Sequence, residues 1–142
     1  MGSVCAIKVE ILGLALPKLG KNILKNGKPL TKGRRAEICL TSREPHEPPD
    51  LNDSVNEYRQ YRCIMRSNLG KLKLVLGCEI DSIDPNSKLP RPQNFVEIKT
   101  QRIITDQRGG ENFRRNKLYK WWAQSFLGSV PRILVAFRND KG

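Results

Sequence analysis

The sequence predicts an α/β (α+β) fold in which helices pack on a mixed β-sheet. Three observations support this prediction: two β-rich segments joined by a turn, a stretch at residues 111–126 without glycine or proline, and a β-rich segment directly after it. A strand that connects to another strand through a helix usually lies parallel to it in the same sheet. The order of elements therefore indicates one sheet covered by a helix.

The first two predicted strands form a hairpin. Residues 61–66 and 71–81 are rich in apolar and β-branched residues, and the turn-forming run 67–70 separates them. The alternation at residues 71–74 predicts that the second strand begins half-exposed and becomes buried further along.

The remaining elements follow a proline-rich loop. Residues 95–100 are typical of a strand, and residues 111–126 are the best helix candidate, which Gly128 and Pro131 end. Residues 132–138 are predicted to be the last strand.

The predicted helix has two faces. Helical spacing gives a polar side with Phe113, Lys117, Lys120 and Gln124, and an adjacent core stripe with Leu118, Trp121, Trp122 and Ser125.

The chain divides into two parts at about residue 60. Residues 1–60 form a poorly patterned basic segment that ends in a proline-rich loop, whereas residues 61–142 carry the regular pattern. Because the first part is poorly patterned and the sheet ends on its last strand, we expect an incomplete domain that belongs to a larger fold.

The charge favours a polyanionic partner. Lysine and arginine total 26 against 14 acidic residues, which gives a net charge of +12. A basic surface of this kind attracts phosphates, although it can also serve solubility alone. The densest basic stretch contains Lys99, Arg102, Arg108, Arg114, Arg115, Lys117 and Lys120.

Cysteine spacing and hydropathy bear on the compartment. The four cysteines form no C-x-x-C pair, so they indicate neither a zinc knuckle nor a disulfide framework. The apolar run 11–16 is too short to span a bilayer. We therefore expect a soluble, intracellular protein without a membrane partner.

Acidic residues occur inside the predicted buried strands. Because strand side chains alternate, Glu79 and Asp81 share one face of their strand, and Glu97 and Lys99 share one face of theirs. A buried carboxylate without a partner is costly, and Mg²⁺ or Mn²⁺ would compensate it. We expect the three carboxylates to converge within a few ångströms. The alternative is a buried ion pair of Lys99 with Glu97 or Asp81 that holds two strands together.

These motifs carry a resemblance to a known family. Asp81 followed by Glu97-Ile98-Lys99 resembles the core of the PD-(D/E)xK nucleases. A longer set of segments resembles the DXO (RAI-type) family of decapping exoribonucleases in order, spacing and residue identity. These segments are 77–81, 94–100, 116–127, Val130-Pro-Arg and Ala136-Phe-Arg-Asn.

The resemblance implies roles for individual residues. Two divalent metal ions, Mg²⁺ or Mn²⁺, would be held by Glu79, Asp81, Glu97 and the carbonyl of Ile98. Lys99 would assist the attacking water, and Gln124 would contact substrate together with Glu79 and Lys99. A further metal ligand, Glu37, lies in a motif that departs from the family, because Arg34 stands where an apolar residue is usual.

The sequence also suggests Arg62 as a substrate residue. A two-residue loop at residues 68–69 would pair Arg62 with Val75, on the face that carries Glu79 and Asp81.

The implied function is metal-dependent hydrolysis at RNA 5′ ends, covering pyrophosphohydrolase, deNADding and 5′–3′ exoribonuclease activity on incompletely capped RNA. The resemblance also implies a 5′–3′ exoribonuclease partner and a nuclear or cytoplasmic location. Two alternatives stay open: a catalytically incomplete family fragment or paralogue that binds RNA or a partner nuclease, and a small basic RNA-binding protein. The family also has a substrate-binding arginine motif that precedes these segments and strands that follow them. We find no counterpart of either in this sequence.

Overall fold

The computed structural model describes residues 8–12, 24–25, 28–29, 32–42, 47–50 and 60–139. The elements within these residues are β1 (Lys8–Leu12), β2 (Leu24–Lys25), β3 (Lys28–Pro29), α1 (Lys32–Leu40), β4 (Arg62–Leu69), β5 (Leu72–Glu79), β6 (Ser82–Ile83), β7 (Phe95–Arg102), α2 (Gln107–Asn112), a π-helical segment (Phe113–Leu118), α3 (Tyr119–Leu127) and β8 (Arg132–Arg138). No helix in these ranges is long and apolar enough to cross a membrane.

The main sheet is mixed, as the sequence predicted. Its four strands lie in the order β1-β8-β7-β6, with β1 and β7 parallel to β8 and β6 antiparallel to β7. The helices between β7 and β8 form the crossover that a parallel pair requires. In this sheet β7 and β8 have neighbours on both sides, and residues 133–137 of β8 are a continuous apolar run.

Strands β4 and β5 form a separate two-stranded hairpin, but its register differs from the prediction. Leu69 pairs with Leu72, so the turn is Gly70-Lys71 and Arg62 lies opposite Glu79 rather than Val75. Gly70 has φ of 60°, a conformation that tight hairpin turns use and that glycine adopts without strain. The predicted loop would have placed Leu69 at a turn position that suits a side chain poorly.

The long helical region begins earlier than predicted and changes pitch. Asp106 caps α2 by accepting a hydrogen bond of 2.5 Å from the Gly109 N–H, which starts the helix at Gln107 despite two glycines. The π-helical segment follows and is continuous with α3. Each π-helical turn uses an extra residue, so side chains beyond it rotate relative to an α-helical projection.

The helix faces differ from the predicted ones. Phe113, predicted on the polar side, is buried against Trp121 and Phe137. Trp122, predicted in the core stripe, is 42% exposed and stacks between Tyr119 and Phe126. The two adjacent tryptophans therefore have different environments.

The core consists of two buried clusters. Phe113, Ile133 and Val135 lie between the helices and β8, and Leu118 and Trp121 pack against them. The second cluster joins the hairpin to the sheet and contains Ile80, Phe95 and Val130, with Cys63, Met65 and Cys78 packed against it. It fixes the end of β5 beside β7.

Replacing Ile133 by Ala should lower the free energy of unfolding by about 2–4 kcal/mol, because Ile133 is fully buried and the substitution leaves a cavity. Ile64→Ala is the matched control, since Ile64 is 82% exposed on β4 and should lose less than about 1 kcal/mol. Urea denaturation measures both. Equal losses would contradict the assignment of the core.

Candidate metal and phosphate cleft

A cleft of about 500 Å³ lies where the hairpin, β7, α1 and the end of α3 meet. It is the part of the structure in which most of the predicted site residues come together. Its charged and amide side chains belong to Arg34, Glu37, Glu79, Asp81, Glu97, Lys99 and Gln124, and Ile98 also lines it.

Asp81 connects the hairpin to the centre of the sheet. Its Oδ2 accepts a hydrogen bond of 2.8 Å from the backbone N–H of Ile98 on β7. Burial, together with the negative charge of Glu97, raises the pKa of Asp81 to about 7, although the Ile98 hydrogen bond and Lys99 act in the opposite direction. This carboxylate is therefore held in place and is electrostatically unfavourable when ionised.

Glu97 and Lys99 share one side of β7, as the alternation predicted. The Lys99 ammonium contacts Glu97 Oε1, and the Glu97 residue is only 5% exposed. The alternative named an ion pair of Lys99 with Glu97 or Asp81, and the Lys99–Glu97 pair is present, although it lies within β7 and does not join two strands. The polar link between adjacent segments is instead the hydrogen bond from Ile98 to Asp81.

Glu37 and Arg34 reach the cleft from the first turns of α1. Ala36 on the same helix is fully buried, and α1 contacts β7. Arg34 NH1 lies 2.9 Å from Glu37 Oε2, and Arg34 NH2 lies 2.8 Å from Glu79 Oε1. The hydrogen bond to Glu79 is the main cause that raises the pKa of Arg34.

Sequence reasoning treated Arg34 only as a departure from a motif. The spacing of Arg34 and Glu37 is a signal for a helical ion pair, because side chains three residues apart are neighbours on a helix. No local sequence pattern indicates the contact of Arg34 with Glu79, since this contact depends on how α1 packs beside the hairpin.

Gln124 lies on the wall of the cleft together with Lys99, which agrees with its predicted position. Gly128 at the end of the helix is buried there, and a Cβ at this position would lie 3.5 Å from the Cys78 sulfur, an ordinary van der Waals contact. The substrate role of Gln124 stays a prediction.

Lys117 and Lys120, which helical spacing placed on the same side as Gln124, do not line the cleft. Lys117 instead donates a hydrogen bond of 2.8 Å to the buried Gln101 side chain, and Lys120 is exposed on α3. Lys117 lies in the π-helical segment, so regular helical spacing does not describe its position relative to Gln124.

Arg62 also lies outside the cleft lining. It is exposed at the start of β4, directly across the hairpin from Glu79, and it donates hydrogen bonds of 3.0 and 2.5 Å to the Gln60 side chain. Its substrate role stays a prediction.

The potential metal ligands in the cleft are of the type that a hard divalent cation prefers. They are carboxylate oxygens, and the raised pKa of Asp81 shows that negative charge there lacks full compensation. In the part of the chain that the structure describes, however, no three acidic, histidine or cysteine side chains are grouped so as to hold a metal ion. Glu79 pairs with Arg34 and Glu97 with Lys99. The convergence of Glu79, Asp81 and Glu97 on a metal ion stays a prediction.

A mixed sheet that carries an aspartate near one strand and Glu-x-Lys on the next defines the PD-(D/E)XK class of nucleases. Residues 31–142 match the family described as RAI1-like PD-(D/E)XK nuclease. The chain belongs to this family.

Relatives and solved structures agree with this assignment. The chain is 35% identical to the human decapping and exoribonuclease protein over 111 residues, which are 78% of this chain and 28% of that protein. It is 46% identical to the decapping nuclease RAI1 of Gibberella zeae over 94 residues, which are 64% of this chain and 24% of that one.

Among solved structures, Candida albicans Rai1 in complex with pU5-Mn²⁺ superposes with a TM-score of 0.68 and 32% identity, covering 77% of this chain and 30% of that one. Scheffersomyces stipitis Rai1 in complex with (3′-NADP)⁺ and calcium gives a TM-score of 0.67 and 29% identity, and the match covers 77% of this chain and 28% of that one. This chain thus spans less than a third of the length of these relatives.

Asp81→Asn should stabilise the metal-free chain at pH 8 more than at pH 5. The folded-state pKa of about 7 lies above the usual unfolded value, so the folded wild type loses stability as pH rises from about 4 to 7. Asparagine does not titrate and still accepts from Ile98, so the gain at pH 8 should be on the order of 2 kcal/mol.

Urea denaturation in the presence of a chelator measures this difference. Asp84→Asn is the control of opposite sign, because the hydrogen bond from Arg132 lowers the pKa of Asp84 and its stabilisation is present at neutral pH. A gain for Asp81→Asn that does not change with pH would contradict the electrostatic account.

Proposed function

We propose that this chain is the metal-binding core of a decapping nuclease that hydrolyses phosphodiester bonds at RNA 5′ ends. The observation that carries the proposal is the cleft itself, in which Asp81, Glu97 and Lys99 lie together with Glu79 and Gln124. Membership of the RAI1-like nuclease family supports the reaction class. We also propose that residues 61–142 form the nuclease core and carry most of the site, to which residues 1–60 contribute Arg34 and Glu37.

The residues have distinct proposed roles. Glu79, Asp81 and Glu97, with the Ile98 carbonyl and Glu37, would hold one or two Mg²⁺ or Mn²⁺ ions. When bound, such ions supply an activated water and neutralise charge on the scissile phosphate. Manganese in the Candida Rai1 complex supports this choice of metal.

The chain's own residues act on the phosphate and its surroundings. The Lys99 ammonium lies at the cleft beside Glu97, where it can neutralise the charge that develops on the phosphate oxygens. Gln124 faces the same space from α3 and can donate or accept a hydrogen bond to the nucleotide. The Ile98 hydrogen bond keeps Asp81 oriented while substrate enters.

The substrate proposal is an RNA 5′ end that is triphosphorylated, incompletely capped or NAD-capped. It draws on the net charge of +12 and on the pU5 and (3′-NADP)⁺ complexes of the neighbouring Rai1 structures. A 5′–3′ exoribonuclease partner and a nuclear or cytoplasmic location complete the proposal.

A second candidate function is an RNA-binding or nuclease-partner module without catalysis. The span of this chain, less than a third of its relatives, favours it, because substrate contacts in those relatives can lie in segments that this chain does not match. The cleft would then be retained for metal or phosphate binding alone.

Replacing Glu79 and Asp81 together by Ala should lower metal-dependent release of 5′ nucleotides by about 100-fold or more, because two of the proposed ligands are lost. The fold should remain, since Asp81 is unfavourable when ionised and Glu79 is partly exposed. The assay uses 5′-labelled triphosphorylated and monophosphorylated RNA with Mg²⁺, with Mn²⁺ or with chelator, and circular dichroism checks folding.

Glu111→Ala is the control, since Glu111 is an exposed carboxylate on α2 outside the cleft. It should retain wild-type activity. Equal product from wild type and the double variant would refute this site. Metal binding without product from any variant would favour the non-catalytic module.

Gln124→Ala should raise KM for RNA about three- to tenfold with a smaller change in kcat, because one hydrogen bond to substrate is removed. Gln107→Ala is the matched control, as Gln107 is exposed at the start of α2 and outside the cleft. Steady-state kinetics separate the two constants. An unchanged KM would show that Gln124 does not contact substrate.

A further inference from the structure

One cation of the chain already lies between two of the proposed metal ligands. The two terminal nitrogens of the Arg34 guanidinium contact different carboxylates, at 2.9 Å from Glu37 Oε2 and 2.8 Å from Glu79 Oε1. These carboxylates come from separate elements, since Glu37 is on α1 and Glu79 is the last residue of β5. Arg34 thus bridges the helix and the hairpin at the edge of the cleft.

We propose that the Arg34 guanidinium is an internal competitor of the divalent metal, which binds fully only when Arg34 releases Glu37 and Glu79. The inference rests on the proposed metal-dependent function. It assigns to Arg34 the role of setting metal affinity, and it explains why the acidic side chains do not form a ready metal site in the described residues.

The geometry supports competition rather than simple stabilisation of the fold. A guanidinium is planar and always charged, and its fork of donors can satisfy two carboxylates at once. A carboxylate oxygen that accepts from Arg34 at 2.8 Å is oriented toward Arg34 and is partly neutralised, so a metal ion gains less from it. Binding of the metal must therefore replace one set of contacts by another.

The position of Arg34 makes release feasible. The side chains of Arg34, Glu37 and Glu79 are 25%, 23% and 34% exposed, so water can solvate the guanidinium when it leaves. Lys99 and Glu97 are more enclosed, at 21% and 7%, and their contact lies within a single strand. Release of Arg34 therefore leaves two carboxylates that water can reach, whereas Glu97 beside Lys99 is nearly enclosed.

The test is isothermal titration of the purified chain with Mn²⁺ in the absence of RNA. Arg34→Met removes the charge and keeps an apolar stem, and it should bind Mn²⁺ roughly tenfold tighter than wild type, since two ion pairs no longer compete. Arg34→Gln should show a gain in the same direction and serves if the Met variant does not fold. Arg66→Met is the charge-matched control, because Arg66 is exposed on β4 outside the cleft, and it should change affinity by less than about twofold.

A second readout is the thermal midpoint with and without Mn²⁺. Removal of Arg34 should lower the midpoint without metal and enlarge the upward shift that Mn²⁺ causes. Equal or weaker Mn²⁺ affinity of both Arg34 variants, with measurable binding by wild type, would overturn the role of Arg34 while leaving the metal site. Absence of Mn²⁺ binding in every variant would instead overturn the metal site itself, and the role of Arg34 with it.

Discussion

The structure depends on the enclosure of two carboxylates, Asp81 and Glu97, where the hairpin meets the central strand β7. Glu97 is buried within β7, and Asp81 is fixed to the same strand by the Ile98 N–H. Two acidic groups in such an environment repel each other and lose solvation, which the pKa of Asp81, raised to about 7, reflects. A fold that retains this arrangement needs a compensating cation nearby.

The chain itself supplies part of the compensating positive charge. Lys99 contacts Glu97 from within β7, and Arg34 contacts Glu79 from α1. The Arg34–Glu79 contact also connects elements that are far apart in sequence, since it joins α1 to the end of β5. In our proposal, the residues that stabilise the metal-free cleft also control how easily metal and phosphate enter it.

The sequence was informative wherever a single element determined the result. Strand β8 has the predicted bounds, and the alternation along β7 placed Glu97 and Lys99 on one side. Asp81 and Gln124 also line the cleft that holds those two residues.

Prediction was less successful where several local solutions compete or where contacts are tertiary. The run 67–70 offers more than one tight turn, and the positive φ of Gly70 decided the hairpin register. The π-helical segment shifted the helix faces, which a regular 3.6-residue period does not describe. The ion pair of Arg34 with Glu79 depends on packing between α1 and the hairpin, so no local pattern indicated it.

The central claim is that the cleft collects a divalent cation at the carboxylates of Asp81 and Glu97. The most direct measurement is an anomalous difference map from crystals of this chain soaked in Mn²⁺ at about pH 8, where Asp81 is ionised. The account predicts a peak within about 2.0–2.6 Å of carboxylate oxygens of Asp81 and Glu97, with Arg34 moved away from Glu79. A map without a peak in the cleft, at Mn²⁺ concentrations that saturate the protein in solution, would contradict it.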